Sequence, residues 1–283
     1  MTLRHLVLMI LLLLAPRLDA VAQGNSKQEQ AELDDYAHFL AMTKAELKEL
    51  VAKAESGDAE AQYWVALDSE VGLKLNEDQD KANEFLLKSA QGGFAPAQRR
   101  YGLSLPHTDP ASQQWLLAAA LQGDDEAEMW MGAATEDGWF GITDLSAAIK
   151  WYRMAAEDGQ AEAQFLLGNR YEKGHGVEQN YATAAEWYRK AAQHTLPIQT
   201  GTGVNEGRYH LALLYIEGRG VPQDYVQAYF LLRLIGQEEY LKMTKPHMTA
   251  EQINDGERQV KDWKAQHRLP PEIIAAYHIV ETP

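Results

Sequence analysis

Small and apolar residues recur along this chain at the spacing of short amphipathic helices, most plainly over residues 159–192. Ala163, Leu167, Gly168 and Tyr171 fall on one stripe of a first helix. Ala184, Trp187, Tyr188, Ala191 and Ala192 fall on one stripe of a second. Residues three and four apart share a helix face, so each stripe is a core-facing seam. Between the two helices, Gly174-His175-Gly176-Val177 reads as a helix stop followed by an apolar anchor.

The unit repeats. Gly57 maps onto Gly93 after 36 residues, Gly93 onto Gly123 after 30, and Gly123 onto Gly159 after 36. The short step reflects a trimmed loop around Pro106 and Pro110. Ala163 maps onto Gly207 only after 44 residues, because residues 193–205 are inserted. Phe85, Trp115, Trp151, Trp187 and Leu231 share one second-helix position. Ser89-Ala90, Ala119-Ala120, Ala155-Ala156 and Ala191-Ala192 share another. A large residue followed one turn later by small ones lets neighbouring helices interlock. The expectation is an all-α chain, an α/α superhelical solenoid of helix-hairpin repeats. Five pairs cover residues 57–236, starting near Gly57, Gly93, Gly123, Gly159 and Gly203.

The flanks read as caps. Over residues 23–56, Leu33, Tyr36, Phe39 and Leu40 recur at helical spacing, and Thr43-Lys44-Ala45-Glu46 is a capping box opening a second helix. Over residues 237–283, Thr249 to Gln252 opens another helix with Ile253, Val260 and Trp263 on one side. Pro270-Pro271 then breaks the chain before a short helix over 272–280. A repeat array needs such terminal elements to close its ends.

These units resemble the Sel-one-like repeat family, relatives of tetratricopeptide repeats. The resemblance rests on Ala161-Glu162-Ala163-Gln164, Leu167-Gly168, Tyr171, Gly174-His175-Gly176-Val177, Ala184 and Trp187-Tyr188-Arg189-Lys190-Ala191-Ala192. The unit at Gly123 keeps Gly132, Gly138 and Trp151-Tyr152-Arg153. It has Thr135 in place of tyrosine and Trp139-Phe140 in its loop, and the unit at Gly93 is degenerate. The resemblance implies a scaffold that holds other proteins and does not imply a catalyst. A cysteine-rich branch of the family is linked to β-lactam binding or hydrolysis. This chain has no cysteine, so that activity is not carried over.

Charge and termini narrow the partners. The formal net charge of −15 argues against nucleic acid and anionic membrane surfaces, and favours basic partners. Arg4 and His5 precede the apolar run at residues 6–15, and Ala20-Val21-Ala22 offers a cleavage site. Residues 1–22 therefore read as a signal peptide, the mature chain as secreted, and the compartment as the periplasm. No later run is long enough to span a bilayer, so no membrane insertion of the mature chain is expected.

No catalytic signature emerges. The chain carries no Gly-x-Ser-x-Gly, no His-Glu-x-x-His and no phosphate-binding loop. His175 reads as a turn residue, and His194 and His210 flank the insertion. No enzyme activity, cofactor or metal is expected.

Candidate contact residues come from the first-helix face opposite the core stripe, which lines the concave groove in tetratricopeptide folds. Projected through the repeats, it gives Glu60 and Tyr63, then Arg99, then Glu126, Met129 and Glu136, then Glu162, Phe165, Asn169 and Glu172, then Tyr209. An apolar row, Tyr63, Met129, Phe165 and Tyr209, lies between two columns of glutamates. Such a groove suits a basic, amphipathic peptide. Glutamates in a first helical turn also stabilise the helix itself. The insertion is the second candidate, because repeat proteins often place insertions on the binding face. The leading reading is a non-catalytic adaptor in the cell envelope. The alternative is a stoichiometric inhibitor, or immunity protein, of a toxic or lytic enzyme. A cell-wall or β-lactam hydrolase is a minor alternative.

Overall fold

Helices of 7 to 17 residues make up the described part of the protein. Helices this short are marginal alone in water, so capping and packing must hold them. The computed structural model describes Phe39 and residues 42–72, 74–194 and 202–266. Among these residues the elements are α1 (Lys44–Ser56), α2 (Ala59–Val71), α3 (Gln79–Gln91), α4 (Ala95–Ser104), α5 (Pro110–Ala120), α6 (Asp125–Asp137) and α7 (Leu145–Asp158). There follow α8 (Ala161–Lys173), α9 (Tyr181–Ala192), α10 (Thr202–Glu217), α11 (Tyr225–Leu234), α12 (Glu238–Thr244), a 3-10 turn (Lys245–His247) and α13 (Ala250–Gln266). No described residue lies in a strand. The expected signal peptide, most of the first capping helix, residues 195–201 of the insertion, Pro270-Pro271 and the helix expected over 272–280 lie outside the described residues.

Side chains close the helix starts. Around α1 the Thr43 N–H donates to Glu46 Oε2 at 2.6 Å, and the Glu46 N–H donates to Thr43 Oγ1 at 3.3 Å. Asp58, Asp78, Asp124 and Asn180 each accept from the backbone N–H three residues on. Each such cap contributes about 1 kcal/mol. Gly174 ends α8 in the left-handed region at φ 70°, where its N–H donates to the Arg170 carbonyl. A side chain there would be strained.

The described chain divides into two units, one ending at Ala155 and the other beginning at Ala156, inside α7. In unit 1, α2 packs against α1 and α3, α4 against α3 and α5, and α5 against α6. In unit 2, α8 packs against α9 and α10, α10 against α9 and α11, and α11 against α12 and α13. Each unit uses the same lock between a first and a second helix. A Cβ on Gly132 would stand 2.6 Å from the Tyr152 ring, and one on Gly168 would stand 2.8 Å from the Tyr188 ring. The tyrosines are buried to 2% and 0% exposure. The glycines make room for them.

A glutamine stitches three of the turns. Gln62 Nε2 donates to the Ala54 carbonyl at 3.0 Å, Gln98 Nε2 to Ala90 at 3.2 Å, and Gln164 Nε2 to Ala156 at 3.1 Å. Each reaches back eight residues to a carbonyl at the end of the preceding helix. Such a carbonyl has no partner within its own helix.

One feature differs from the sequence reading. Helix α10 opens at Thr202, inside the segment read as an insertion through Asn205. Gly203 is there for close packing. A Cβ on it would stand 2.5 Å from Glu162 Cα and 2.8 Å from the Ala161 carbonyl oxygen. The C-terminal end of unit 2 closes on α13. Thr249 and Gln252 cap it reciprocally. Gly256 lies against the Tyr229 ring, and Val260 is buried. Glu257 accepts from the Tyr229 hydroxyl at 2.5 Å and from Arg233 Nε at 3.0 Å.

Candidate protein-binding surface

The candidate residues fare differently in the two units. In unit 1, Glu60 is exposed in the first turn of α2, and Tyr63 is half-buried with its ring 5.2 Å from Phe94. Glu126 is held by the Arg99 guanidinium, whose Nε also lies 2.9 Å from Asp124 Oδ1. Glu136 accepts from the Tyr152 hydroxyl at 2.9 Å. Both glutamates are therefore engaged inside the unit.

Met129 and Asn169, expected on the open face, are each only 7% exposed. The physical reason is that a first helix is flanked twice. Helix α8 has its second helix, α9, on one side and the next first helix, α10, on another. Little mid-helix surface stays open, which a wheel drawn for one helix does not show.

Unit 2 brings four candidates together. Phe165 on α8 has its ring 5.6 Å from that of His210 on α10. His210 meets its neighbour Tyr209 edge-on at 5.4 Å, and Tyr209 meets Tyr240 of α12 at 5.1 Å. The Tyr209 and Tyr240 hydroxyls are hydrogen-bonded to each other. All four rings are half-buried. They form a strip running across α8, α10 and α12. Beside it, Glu172 accepts from His210 Nδ1 at 3.0 Å and from the Tyr188 hydroxyl at 2.5 Å. Glu162 is half-buried in the first turn of α8, beneath Gly203.

The strip has a definite charge state. Burial pushes the Glu172 carboxyl up. The hydrogen bonds from His210 and Tyr188, with the nearby His210 and Lys173 charges, outweigh burial and hold it below the usual carboxylate range. Burial and then Glu172 push the Tyr188 hydroxyl well above the ordinary tyrosine value. Burial and the hydrogen bond with Tyr240 push Tyr209 up to about 12. At neutral pH the site is one carboxylate fixed among protonated phenols and an imidazole.

Sequence reasoning missed Tyr240 and the part played by His210. The signal for His210 was its place beside Tyr209 on one helix. Tyr240 lies beyond the repeats and carried no signal.

Antiparallel helix pairs repeated in this way define an all-α helical-repeat solenoid. The chain belongs to the Sel1 (Sel-one) repeat family, whose model matches residues 59–94, 125–160, 161–195 and 205–237. Residues 95–124, the degenerate unit, fall outside those matches. Among solved structures the chain is similar to a Sel1 repeat protein from Oxalobacter formigenes. The identity is 26%, with 74% of this chain and 60% of that one covered, at a TM-score of 0.60. It also shares its fold with c5321, a protective antigen of uropathogenic Escherichia coli displaying an SLR fold. There the identity is 24%, with 84% and 59% covered, at a TM-score of 0.52. The chain thus spans about three-fifths of the length of each. Immunity protein Pa5087 from Pseudomonas aeruginosa matches at 16% identity over 84% of this chain and 80% of that one. Its TM-score of 0.43 carries no argument. No curated protein gives a significant sequence match. No helix among the described residues is long and apolar enough to cross a membrane.

Proposed function

We propose that the protein is a non-catalytic scaffold of the cell envelope that holds a partner polypeptide along the ring strip of unit 2. Family membership supports protein–protein interaction as the class of activity. The observation that carries the finer reading is the strip itself. Phe165, His210, Tyr209 and Tyr240 touch in series, each half-exposed, at positions the repeat does not need for its own lock. Aromatic side chains give large contact area for little lost rotamer freedom, which suits them to an interface.

A photo-crosslinking residue placed at Tyr209, and separately at the exposed Glu186 on α9, tests this in the native compartment. The expected result is a partner adduct from position 209 and none from position 186. Equal yields from both would remove the strip as the contact surface. The number of partners separates the variants of the reading. An adaptor yields several envelope proteins, and an inhibitor yields one enzyme at equal stoichiometry.

A further inference from the structure

The chemistry beside the strip narrows what lies on it. A carboxylate only accepts hydrogen bonds, so the proton on the Glu172–His210 bond sits on Nδ1. The neutral imidazole then carries its lone pair on Nε2, at the far edge of the ring. No group among the described residues is hydrogen-bonded to Nε2, and the side chain is 20% exposed. An acceptor is therefore on offer, and a donor is what it takes.

The surroundings favour a charged donor. Phe165, Tyr209 and Tyr240 supply π faces, which attract cations. Glu162 and Glu172 on α8, Glu206 and Glu217 on α10, and Glu238 and Glu239 on α12 stand on the strip's own elements, against Arg170, Lys173, Arg208 and Lys242. The whole chain carries a formal −15.

We infer that His210 selects a guanidinium or ammonium side chain of the polypeptide on this strip. This rests on the scaffold reading above and adds the occupant's chemistry. Nε2 accepts a hydrogen bond from the cation, and the flanking rings receive its charge.

The probes are two fluorescein-labelled amphipathic helical peptides of about 16 residues, one with arginine at every fourth position and one with neutral citrulline there. Binding is read by anisotropy. The arginine peptide is expected to bind about tenfold tighter than its twin. It should lose about five- to tenfold in His210→Ala, the worth of one hydrogen bond and part of a cation–π contact. In His210→Gln, whose amide can still donate to Glu172 and accept from the ligand, binding should stay within about threefold. Circular dichroism confirms that both variants are folded. Absent binding of the arginine peptide, equal binding of the twins, an unchanged His210→Ala, or a His210→Gln as weak as His210→Ala would each overturn the inference. So would an equal loss in Glu251→Gln, on the exposed side of α13, which would mean that overall charge is responsible. The two readings fail separately. If position 209 cross-links its partner while the twins bind alike, the scaffold stands and the cation falls. If position 209 gives no adduct, the scaffold reading falls whatever the peptides do.

Discussion

Unit 1 and unit 2 each set a basic side chain against glutamates on first-helix faces, with opposite results. In unit 1, Arg99 is 8% exposed and spans Asp124 and Glu126. Its guanidinium has five donors and is never neutral, so it saturates the carboxylates it touches. In unit 2, His210 gives one hydrogen bond to Glu172 and keeps an unbonded edge at 20% exposure. One chemistry closes a face and the other leaves it half open. Arg99 and His210 occupy adjacent positions of the repeat, and the residue that matches His210 in unit 1 is Arg100, which pairs with Glu70.

A second pair makes the same point in the turns. In unit 1, Gln122 Nε2 donates to Gln98 Oε1 at 2.7 Å. In unit 2 the equivalent residue is His194, whose Nε2 lies 3.1 Å from Gln164 Oε1. His194 is 2% exposed, its Nδ1 has no hydrogen-bond partner among the described residues, and its carbonyl accepts from Arg208 Nη2 at 3.0 Å. Burial, and then the Arg208 charge, lower its pKa from 6.5 to about 4.

The largest way to break the comparison is Arg99→Ala. It leaves Asp124, 3% exposed, without its countercharge. The expected loss is about 3 kcal/mol in urea unfolding. His210→Ala should cost a fraction of that, because Glu172 keeps the Tyr188 hydroxyl. Equal losses would mean that the two basic residues do the same work.

Acid should weaken unit 2 by a comparable amount. The folded His194 pKa lies below the unfolded one, so the unfolded chain binds more protons as pH falls below about 6.5. Stability from keeping this imidazole neutral is fully present above about pH 6.5. It declines toward about pH 4, for a total near 3 kcal/mol. His194→Gln copies the residue of unit 1 and should flatten this slope in urea midpoints measured across that window. An unchanged slope would assign the acid sensitivity to other groups.

Smaller still should be Gly132→Ala and Gly168→Ala. Each drives a methyl into a buried tyrosine ring and should cost about 1 to 3 kcal/mol. Because the lock is the same in both units, the two losses should agree. A large disagreement in their thermal unfolding would show that the lock is not equivalent.

Much of this fold could be read from residue types alone. Thr43 and Glu46 announced a capping box, the glycines announced helix ends, and Gly168 against Tyr188 followed from the repeat. These are local devices, closed within about twenty residues. The candidate surface was legible only in outline. Glu126 meets Arg99 across 27 residues and His210 meets Glu172 across 38. No helical wheel joins residues so far apart. Arg99 was nonetheless a clue, since it is a cation in the projected apolar row of Tyr63, Met129, Phe165 and Tyr209. Thr202 was assigned to the insertion because the step from Ala163 to Gly207 is 44 residues and the excess was read as loop. Gly203 is instead the thin point of a helix pressed against the Glu162 backbone.

The glutamine stitches have a mechanical consequence. Gln62, Gln98 and Gln164 each tie a turn to a carbonyl eight residues back. The elbow between one hairpin and the next is therefore held by its own residues and requires no distant contact. Local closure costs little chain entropy, so such an elbow can re-form while its neighbours are still extended. Pulled from its ends, the chain should yield hairpin by hairpin, and on release each elbow should fold back before the next. A sawtooth force trace, with its shortest tooth over residues 95–124, is the signature of that design.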